Sequence, residues 1–172
     1  TGGTDDDDPF NQPDELGPNG LASHLDLLQS VGGNYIRNTM SSRDAGSLWP
    51  FIKLENGKYD LEEWNPKYWE RFERLLKLAH ERDIIVQLEI WDPWDYFADA
   101  DEQGGWSHQP FNPVNNVNYT LEESRLKNEI EYRTKHKSTG HNFFHTVPTL
   151  ENNQTVLNYQ KAFVSKILKH SF

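Results

Sequence analysis

The sequence predicts an α/β fold, namely a partial TIM-type (β/α)8 barrel with about strands 2 and 3 and helices 1 to 3. Two predicted strands, Asn34–Met40 and one that starts at Ile84, lie about fifty residues apart, and each is followed by a predicted helix. The second strand has one continuous apolar face, while Gln87 and Glu89 lie on its other face. This pattern is typical of a parallel barrel, in which helices cover the outside and the packed interior is partly polar.

The first predicted βα elements are a helix over Gly20–Val31 and the strand Asn34–Met40. Leucines at helical spacing mark one side of the helix, and Gly32-Gly33 ends it. The strand has Ile36 and Met40 on one face and Tyr35, Arg37 and Thr39 on the other. A long loop is then expected over Ser41–Asn65, with a turn at residues 55–58.

The next predicted helix starts at Asn65-Pro66, because a capping Asn followed by Pro is a strong helix start, and runs to about Arg82. Its expected buried positions are Trp69, Phe72, Leu76 and Ala79. The strand at Ile84 follows directly. After it we expect a long insertion at about 92–150, which includes a polar surface helix over Leu121–Arg133. The third core helix is marked by Val156, Tyr159, Phe163 and Ile167.

Two strands cannot close a barrel or cover their own edges. Residues 1–172 are therefore interpreted as the N-terminal segment of one (β/α)8 domain, with the first strand expected before Thr1 and the fourth after Phe172. The remainder of the barrel is expected to come from the same parent chain or from a partner chain. The start at Thr1-Gly2-Gly3 is typical of the middle of a longer protein.

Composition excludes several classes of partner. Seventeen basic and twenty-seven acidic side chains give a net charge of −10, which disfavours nucleic acid and anionic membranes. No segment approaches the ~18 apolar residues of a membrane helix. Without cysteine, disulfides and thiolate metal sites are excluded. A calcium-like segment at Asp99–Gly104 lacks the chelating Glu, and no phosphate-binding loop or nucleophile motif appears. We therefore expect neither metal nor cofactor.

Arg37 and Glu89 form the most informative candidate pair. Both are predicted on the inward faces of adjacent strands near their C-terminal ends. A buried charge is costly unless it is paired, so an ion pair inside the barrel is expected. The pair could orient groups beneath a substrate, or it could be a structural lining of the barrel.

Aromatic and polar residues at the predicted rim are candidate sugar contacts. Trp91 and Trp94 can stack on sugar rings, and Asp92 can accept hydrogen bonds from sugar hydroxyls. Further candidate binding residues are Asn38, Trp106 and His108. Packing of the long loop is the alternative explanation for the aromatic residues, because such a loop needs its own small core.

Four segments together resemble the front half of a cellulase-like glycoside hydrolase. They are Gly33–Asn38 after a helix that ends in Gly, Trp69–Phe72, His80–Ile84 and Val86–Asp92. The resemblance covers roughly Gly20–Asp92 and returns at Asn152–Phe172; it rests on the order of elements and on the strand-end Arg.

Cellulase-like glycoside hydrolases are (β/α)8 barrels of the retaining clan, and they have two catalytic glutamates. The resemblance implies that Arg37 lies beside the nucleophile and that Trp91 and Asp92 line a sugar subsite. The acid/base Glu of the fourth strand and the nucleophile Glu of the seventh have no counterpart here. Retaining chemistry needs two carboxylates about 5 Å apart, and this chain does not supply the matched pair. The resemblance implies that both glutamates lie downstream of this chain.

Three functions remain open on the sequence. The first is a secreted or periplasmic glycoside hydrolase acting on a poly- or oligosaccharide, of which this chain is an inactive segment. The second is a non-catalytic carbohydrate-binding barrel or scaffold that keeps the aromatic cleft. The third is another barrel hydrolase or lyase, in which Glu89 or Asp92 acts directly.

Overall fold

The computed structural model describes residues 20–40, 42, 48–91, 105–126 and 154–171. The elements in these ranges are α1 (Leu21–Ser30), β1 (Tyr35–Thr39), β2 (Phe51–Lys53), β3 (Tyr59–Trp64), α2 (Pro66–His80), β4 (Ile85–Glu89), α3 (Leu121–Ser124) and α4 (Gln154–Ser171). They form a mixed α/β structure with one parallel and one antiparallel strand pair.

Strands β1 and β4 pair in parallel, as predicted. The register runs from Tyr35 opposite Ile85 to Thr39 opposite Glu89. Both strands therefore end at the same edge of the sheet. Within the described ranges this sheet has two strands, so the mixed α/β class is confirmed while closure into a barrel stays a prediction.

Helices α1 and α2 cover one face of the parallel pair. A small apolar cluster joins them to the start of β4; it consists of Leu21, Leu25, Leu75, Ala79 and Ile84. Ile36 of β1 and Val86 of β4 pack against this cluster. The apolar face of each strand thus packs against the helices, as the sequence pattern predicted.

The two glycines after α1 have different functions. Gly32 has a φ of +81°, a left-handed conformation that glycine adopts without strain. Gly33 lies against Leu28, and a Cβ at that position would collide with the leucine side chain. Together they turn the chain sharply from α1 into β1.

The segment predicted as a loop over Ser41–Asn65 contains an antiparallel hairpin, so that prediction was wrong in part. Strands β2 and β3 pair across it, with an irregular register between Phe51 and Ile52. The predicted turn is confirmed: Gly57 has a φ of +82°, and Asn56 Oδ1 accepts a hydrogen bond from the Lys58 N–H at 2.9 Å. A strand of three residues with a register shift carries too little periodicity to be recognised.

Helix α2 begins where the sequence predicted. The Asn65 side chain accepts a hydrogen bond from the Lys67 N–H at 3.2 Å, and Pro66 occupies the first helical position. The buried residues are Tyr68, Trp69, Phe72, Leu75 and Ala79. Leu76, expected to be buried, is only partly so, because the buried stripe is shifted to Leu75.

Helix α4 completes a second, aromatic core. Val156, Phe163 and Ile167 are buried, as expected, whereas Tyr159 is only partly buried. The Phe163 ring lies 6.3 Å from that of Trp69, and the His170 ring stacks on Trp69 at 4.9 Å. Helix α4 therefore packs against α2 through aromatic contacts.

The polar helix predicted over Leu121–Arg133 is much shorter than expected in the described residues. Helix α3 ends at Ser124 because Arg125 adopts a left-handed conformation with a φ of 57°. Its start is a capping box, in which the Thr120 N–H donates to Glu123 and the Glu123 N–H donates to Thr120 Oγ1. The hydrogen bonds from Thr120 lower the pKa of the Glu123 carboxyl. Residues 127–133 lie outside the described ranges.

Candidate functional site

The face of the β1–β4 sheet that points away from the helices carries the polar strand residues. Alternation along paired strands places six residues there: Tyr35, Arg37, Thr39, Ile85, Gln87 and Glu89. The Tyr35 hydroxyl donates a hydrogen bond to Gln87 Oε1 across the pair. The face therefore has one polar contact near its start and a charged contact near its end.

Arg37 and Glu89 form the charged contact at the C-terminal ends of the strands. Arg37 Nε lies 3.6 Å from Glu89 Oε2, which confirms the expected ion pair. The side chains are 61% and 30% exposed, so the pair is not the buried one that the sequence pattern suggested. The physical reason is that no described element covers this face.

Asn38 lies on the opposite face from Arg37 and Glu89. It pairs with Leu88 in the register, and its amide Nδ2 lies 3.4 Å from the Met40 sulfur, to which it donates. Asn38 was predicted as a rim contact for sugar. The structure does not bring it together with the ion pair, because neighbouring strand residues alternate between faces.

Trp91 lies at the boundary between the sheet and the aromatic core. Its ring centroid is 6.0 Å from that of Phe111 and 5.5 Å from that of Phe163, and the residue is only partly buried. It therefore packs on the core and keeps part of its surface in solvent. Asp92 and Trp94, the neighbouring predicted sugar contacts, lie outside the described residues.

For Trp106 and His108 the sequence leaves open whether the side chain contacts sugar or packs the long loop. The structure gives a different answer for each residue. Trp106 is 1% exposed and belongs to the aromatic core, so its ring is closed to a ligand and the packing interpretation applies. His108 is exposed, and its Nδ1 lies 3.1 Å from Ser107 Oγ. Of the two, His108 is the residue that a ligand can reach.

Buried asparagines hold residues 105–126 in place. Asn116 Nδ2 donates to the backbone oxygens of Pro110 and Asn112 at 2.9 and 3.1 Å. Its Oδ1 accepts from the backbone N–H groups of Asn118 and Tyr119 at 3.0 and 3.2 Å. The side chain thus satisfies four partners inside a segment that has little regular structure.

The same segment is tied to the hairpin. Asn118 Oδ1 accepts from the Leu61 N–H at 2.8 Å, and its Nδ2 donates to Asp60 Oδ1 at 3.0 Å. Asn116 and Asn118 thus replace backbone pairing in a tightly packed loop.

A cleft of about 420 Å³ opens between this segment and the hairpin. Its lining consists of Ser42, Leu48, Trp49, Phe51, Lys53, Gly57, Tyr59, Asn65, Ser107, His108 and Asn115. Sequence reasoning found only His108 among these. The missed signal was the alternation in β3, where Tyr59 and Leu61 are buried and Asp60 is not.

Tyr59, beside the cleft, and Tyr159, on α4, both have a raised hydroxyl pKa. Burial raises the pKa of Tyr59 to about 12. Burial, together with the hydrogen bond to the Glu62 carboxylate, raises the pKa of Tyr159 to about 12. The Tyr159 hydroxyl donates to Glu62 Oε1 at 2.8 Å. These hydroxyls are neutral hydrogen-bonding groups at neutral pH.

A cluster of metal ligands and a membrane-spanning helix are both absent from the described part of the chain. In these residues no group of three or more His, Cys, Asp or Glu side chains is arranged to hold a metal ion. None of the helices described has the length and apolar character needed to cross a bilayer.

Comparison of the chain with protein-family models, with curated proteins and with solved structures gave no match.

Proposed function

We propose that this chain is a segment of a (β/α)8 glycoside hydrolase that acts on a poly- or oligosaccharide outside the cytoplasm, secreted or periplasmic. The observation that carries the proposal is the Arg37–Glu89 contact of 3.6 Å at the C-terminal ends of two parallel strands. In barrels of this kind, ligands bind at those ends. The catalytic carboxylate pair is assigned to parts of the protein outside these 172 residues.

The face of the sheet that no described element covers supports a larger barrel. Ile85 is 62% exposed and Tyr35 is 49% exposed on the face opposite the helices. Exposed apolar residues on an open two-stranded sheet favour association with further strands. Additional parallel strands on both sides would enclose this face and bury the ion pair.

The proposed role of Arg37 is electrostatic. A guanidinium at a strand end favours the ionised form of a carboxylate placed beside it. The Glu89 carboxylate lies 3.6 Å from Arg37 Nε and attracts the guanidinium towards it, so Glu89 is a positioning residue in this scheme. Trp91, with part of its ring in solvent, supplies a surface for one sugar ring.

The experiment is a hydrolysis assay of the full-length protein on a panel of polysaccharides, with reducing ends as the readout. Arg37→Gln and Glu89→Gln are expected to lower kcat/KM by about 10²-fold or more, since they disturb charge stabilisation in the site. Asp26→Asn is the matched control. It removes the carboxylate of another Arg–carboxylate pair, Arg82–Asp26 at 2.7 Å, which lies among the helices.

The control variant is expected to keep full activity and to lose about 1 kcal/mol of stability, because the Asp26 carboxylate of this pair is 62% exposed to solvent. Equal activity of all three variants on a hydrolysed substrate would overturn the role of the Arg37–Glu89 pair. The absence of hydrolysis with every polysaccharide would overturn the enzymatic proposal.

A non-catalytic carbohydrate-binding barrel is the second candidate. This candidate needs no carboxylate beyond the described strands, where Glu89 is the one carboxylate among the six β1 and β4 residues on the polar face. Retaining hydrolysis needs two carboxylates about 5 Å apart. Saccharide binding without any turnover in the full-length protein would support this candidate over the hydrolase.

A further inference from the structure

We propose that the cleft between the β2–β3 hairpin and residues 105–126 binds one ring of an acidic saccharide, a sugar that carries a carboxylate. The inference rests on the carbohydrate-active function proposed above and names the class of sugar. It also assigns a subsite that does not include the Arg37–Glu89 pair.

The position of the cleft in the fold supports ligand binding. One wall comes from the chain that follows β1, and the other comes from the chain that follows β4. Both walls therefore follow the C-terminal ends of parallel strands, the side on which α/β proteins bind ligands. A volume of about 420 Å³ lies within the usual range of small-molecule sites.

An aromatic wall is held rigidly in the cleft. The rings of Trp49 and Tyr59 meet edge to face at a centroid distance of 6.3 Å. The Tyr59 N–H donates to Asn115 O at 2.7 Å, and Tyr59 O accepts from the Val117 N–H at 3.1 Å. Trp49 is partly exposed, and its backbone oxygen accepts from Asn65 Nδ2 at 3.1 Å. The Trp49 side chain thus offers a fixed apolar surface for the C–H face of a pyranose.

The amides in the cleft are already engaged with the protein. Asn115 Nδ2 donates to the backbone oxygens of Ser107 and Gln109 at 2.8 and 3.0 Å. Asn65 bonds both Trp49 and the start of α2. These amides position the walls, and the exposed Lys53 is the side chain best placed to recognise a charged group.

The charge of the cleft lining is what selects an acidic sugar. Among the eleven described lining residues Lys53 is positively charged, and none is Asp or Glu. The chain as a whole has a net charge of −10, so a cleft lining without carboxylates differs from the average composition of the chain. Lys53 Nζ lies 5.6 Å from the Tyr59 ring centroid, so the ammonium is next to the aromatic wall. A ring lying on Trp49 brings its carboxylate within reach of this ammonium, where a charge-assisted hydrogen bond is strong.

The test is calorimetric titration of the full-length protein with matched ligands. The probes are trisaccharides of galacturonate, glucuronate and mannuronate and their carboxyl-reduced counterparts, in which each carboxylate is replaced by a neutral hydroxymethyl group and the ring stereochemistry is kept. We expect at least one trisaccharide of uronates to bind about tenfold more tightly than its reduced form, with a preference that weakens as salt is raised.

Three variants locate the binding. Lys53→Gln should remove most of the preference for the acidic form while leaving affinity for the reduced form unchanged. Trp49→Ala should weaken both forms by about tenfold, because it removes the stacking surface. Lys161→Gln, at an exposed position on α4 outside the cleft, is the matched control and should change neither affinity.

Equal affinity for acidic and reduced sugars would overturn the inference, and so would a preference that survives Lys53→Gln. Either result leaves the glycoside hydrolase proposal standing if neutral polysaccharides are cleaved. Because Lys53 is exposed, Lys53→Gln is expected to keep the fold, so the test remains decisive even if Trp49→Ala reduces stability.

Discussion

The Arg37 guanidinium and the Glu89 carboxylate meet diagonally across β1 and β4, with Nε 3.6 Å from Oε2. In the register Glu89 is paired with Thr39, two residues beyond Arg37. An exposed ion pair of this kind contributes about 0–1 kcal/mol to stability. Its contribution to the stability of this fold is therefore small, so Arg37→Gln and Glu89→Gln can be compared for activity without a large loss of stability.

The buried Asn116 side chain is expected to be important for stability. Asn116→Ala removes four hydrogen bonds to the backbone of residues 105–126, and we expect a loss of about 1–3 kcal/mol in the free energy of unfolding. Asn158→Ala, at an exposed position on α4, is the control with the same chemical change. It should stay within about 0.5 kcal/mol of the parent protein in denaturant unfolding. Equal effects of the two variants would contradict this use of Asn116.

Trp91 is expected to contribute to both packing and binding. Trp91→Ala removes ring contacts with Phe111 and Phe163, and should lower stability and weaken oligosaccharide binding by about 1–3 kcal/mol each. Trp91→Phe retains an aromatic ring and should restore most of the stability. Unfolding and binding measured on both variants separate the two effects. Lower stability with intact binding would leave Trp91 a packing residue alone.

Tyrosine ionisation predicts how stability depends on alkaline pH. The pKa values of Tyr59 and Tyr159 are raised to about 12 in the folded state, above the ordinary value of 10.0. Between these values the unfolded state has lost the protons that the folded state still holds, so stability falls as pH rises from about 10 to about 12. Below about pH 10 this contribution is fully present. Tyr159→Phe should show a smaller fall in that window, measured by denaturant unfolding; the same pH profile in both proteins would contradict the assignment.

The 172 residues expressed alone are expected to associate or to remain loosely packed. The β1–β4 sheet leaves Ile85 and Tyr35 exposed, and its edges are open among the described strands. Size-exclusion chromatography and binding of a hydrophobic dye provide the measurement. A monomer with a cooperative unfolding transition would show that this face does not need a cover.

The elements predicted best are those with long periodic patterns or clear end signals. Helix α2 was recognised from its aromatic stripe and from the capping Asn65 followed by Pro66, both of which are local in the sequence. The parallel pairing of β1 with β4 followed from a helix between two strands. The ion pair of Arg37 with Glu89 followed from alternation on those strands.

The features that were missed depend on contacts between distant residues. Strand β2 is three residues long, and its pairing is recognisable only against β3. Residues 105–126 are fixed by side-chain bonds such as the one from Asn118 to Asp60, which no periodic pattern reveals. The cleft joins Trp49 and Tyr59 to His108, and its existence depends on how the hairpin and the loop pack.

The central claim is that the polar face of the β1–β4 sheet lines a closed barrel. The measurement that tests it most directly compares the reactivity of a thiol on that face with the reactivity of a thiol on helix α1. The chain has no cysteine, so Ile85→Cys and Leu27→Cys each introduce the first thiol into this region. Ile85 is 62% exposed on the polar face, and Leu27 is 66% exposed on α1, so the two side chains have nearly the same solvent exposure in this chain.

In the full-length protein, the proposed barrel covers Ile85 but not Leu27. We therefore expect a thiol-reactive reagent to modify Ile85→Cys at least about tenfold more slowly than Leu27→Cys under native conditions, with equal rates in denaturant. Peptide mass analysis identifies the modified site. Equal native rates at the two positions would contradict the claim that this face lines a closed barrel.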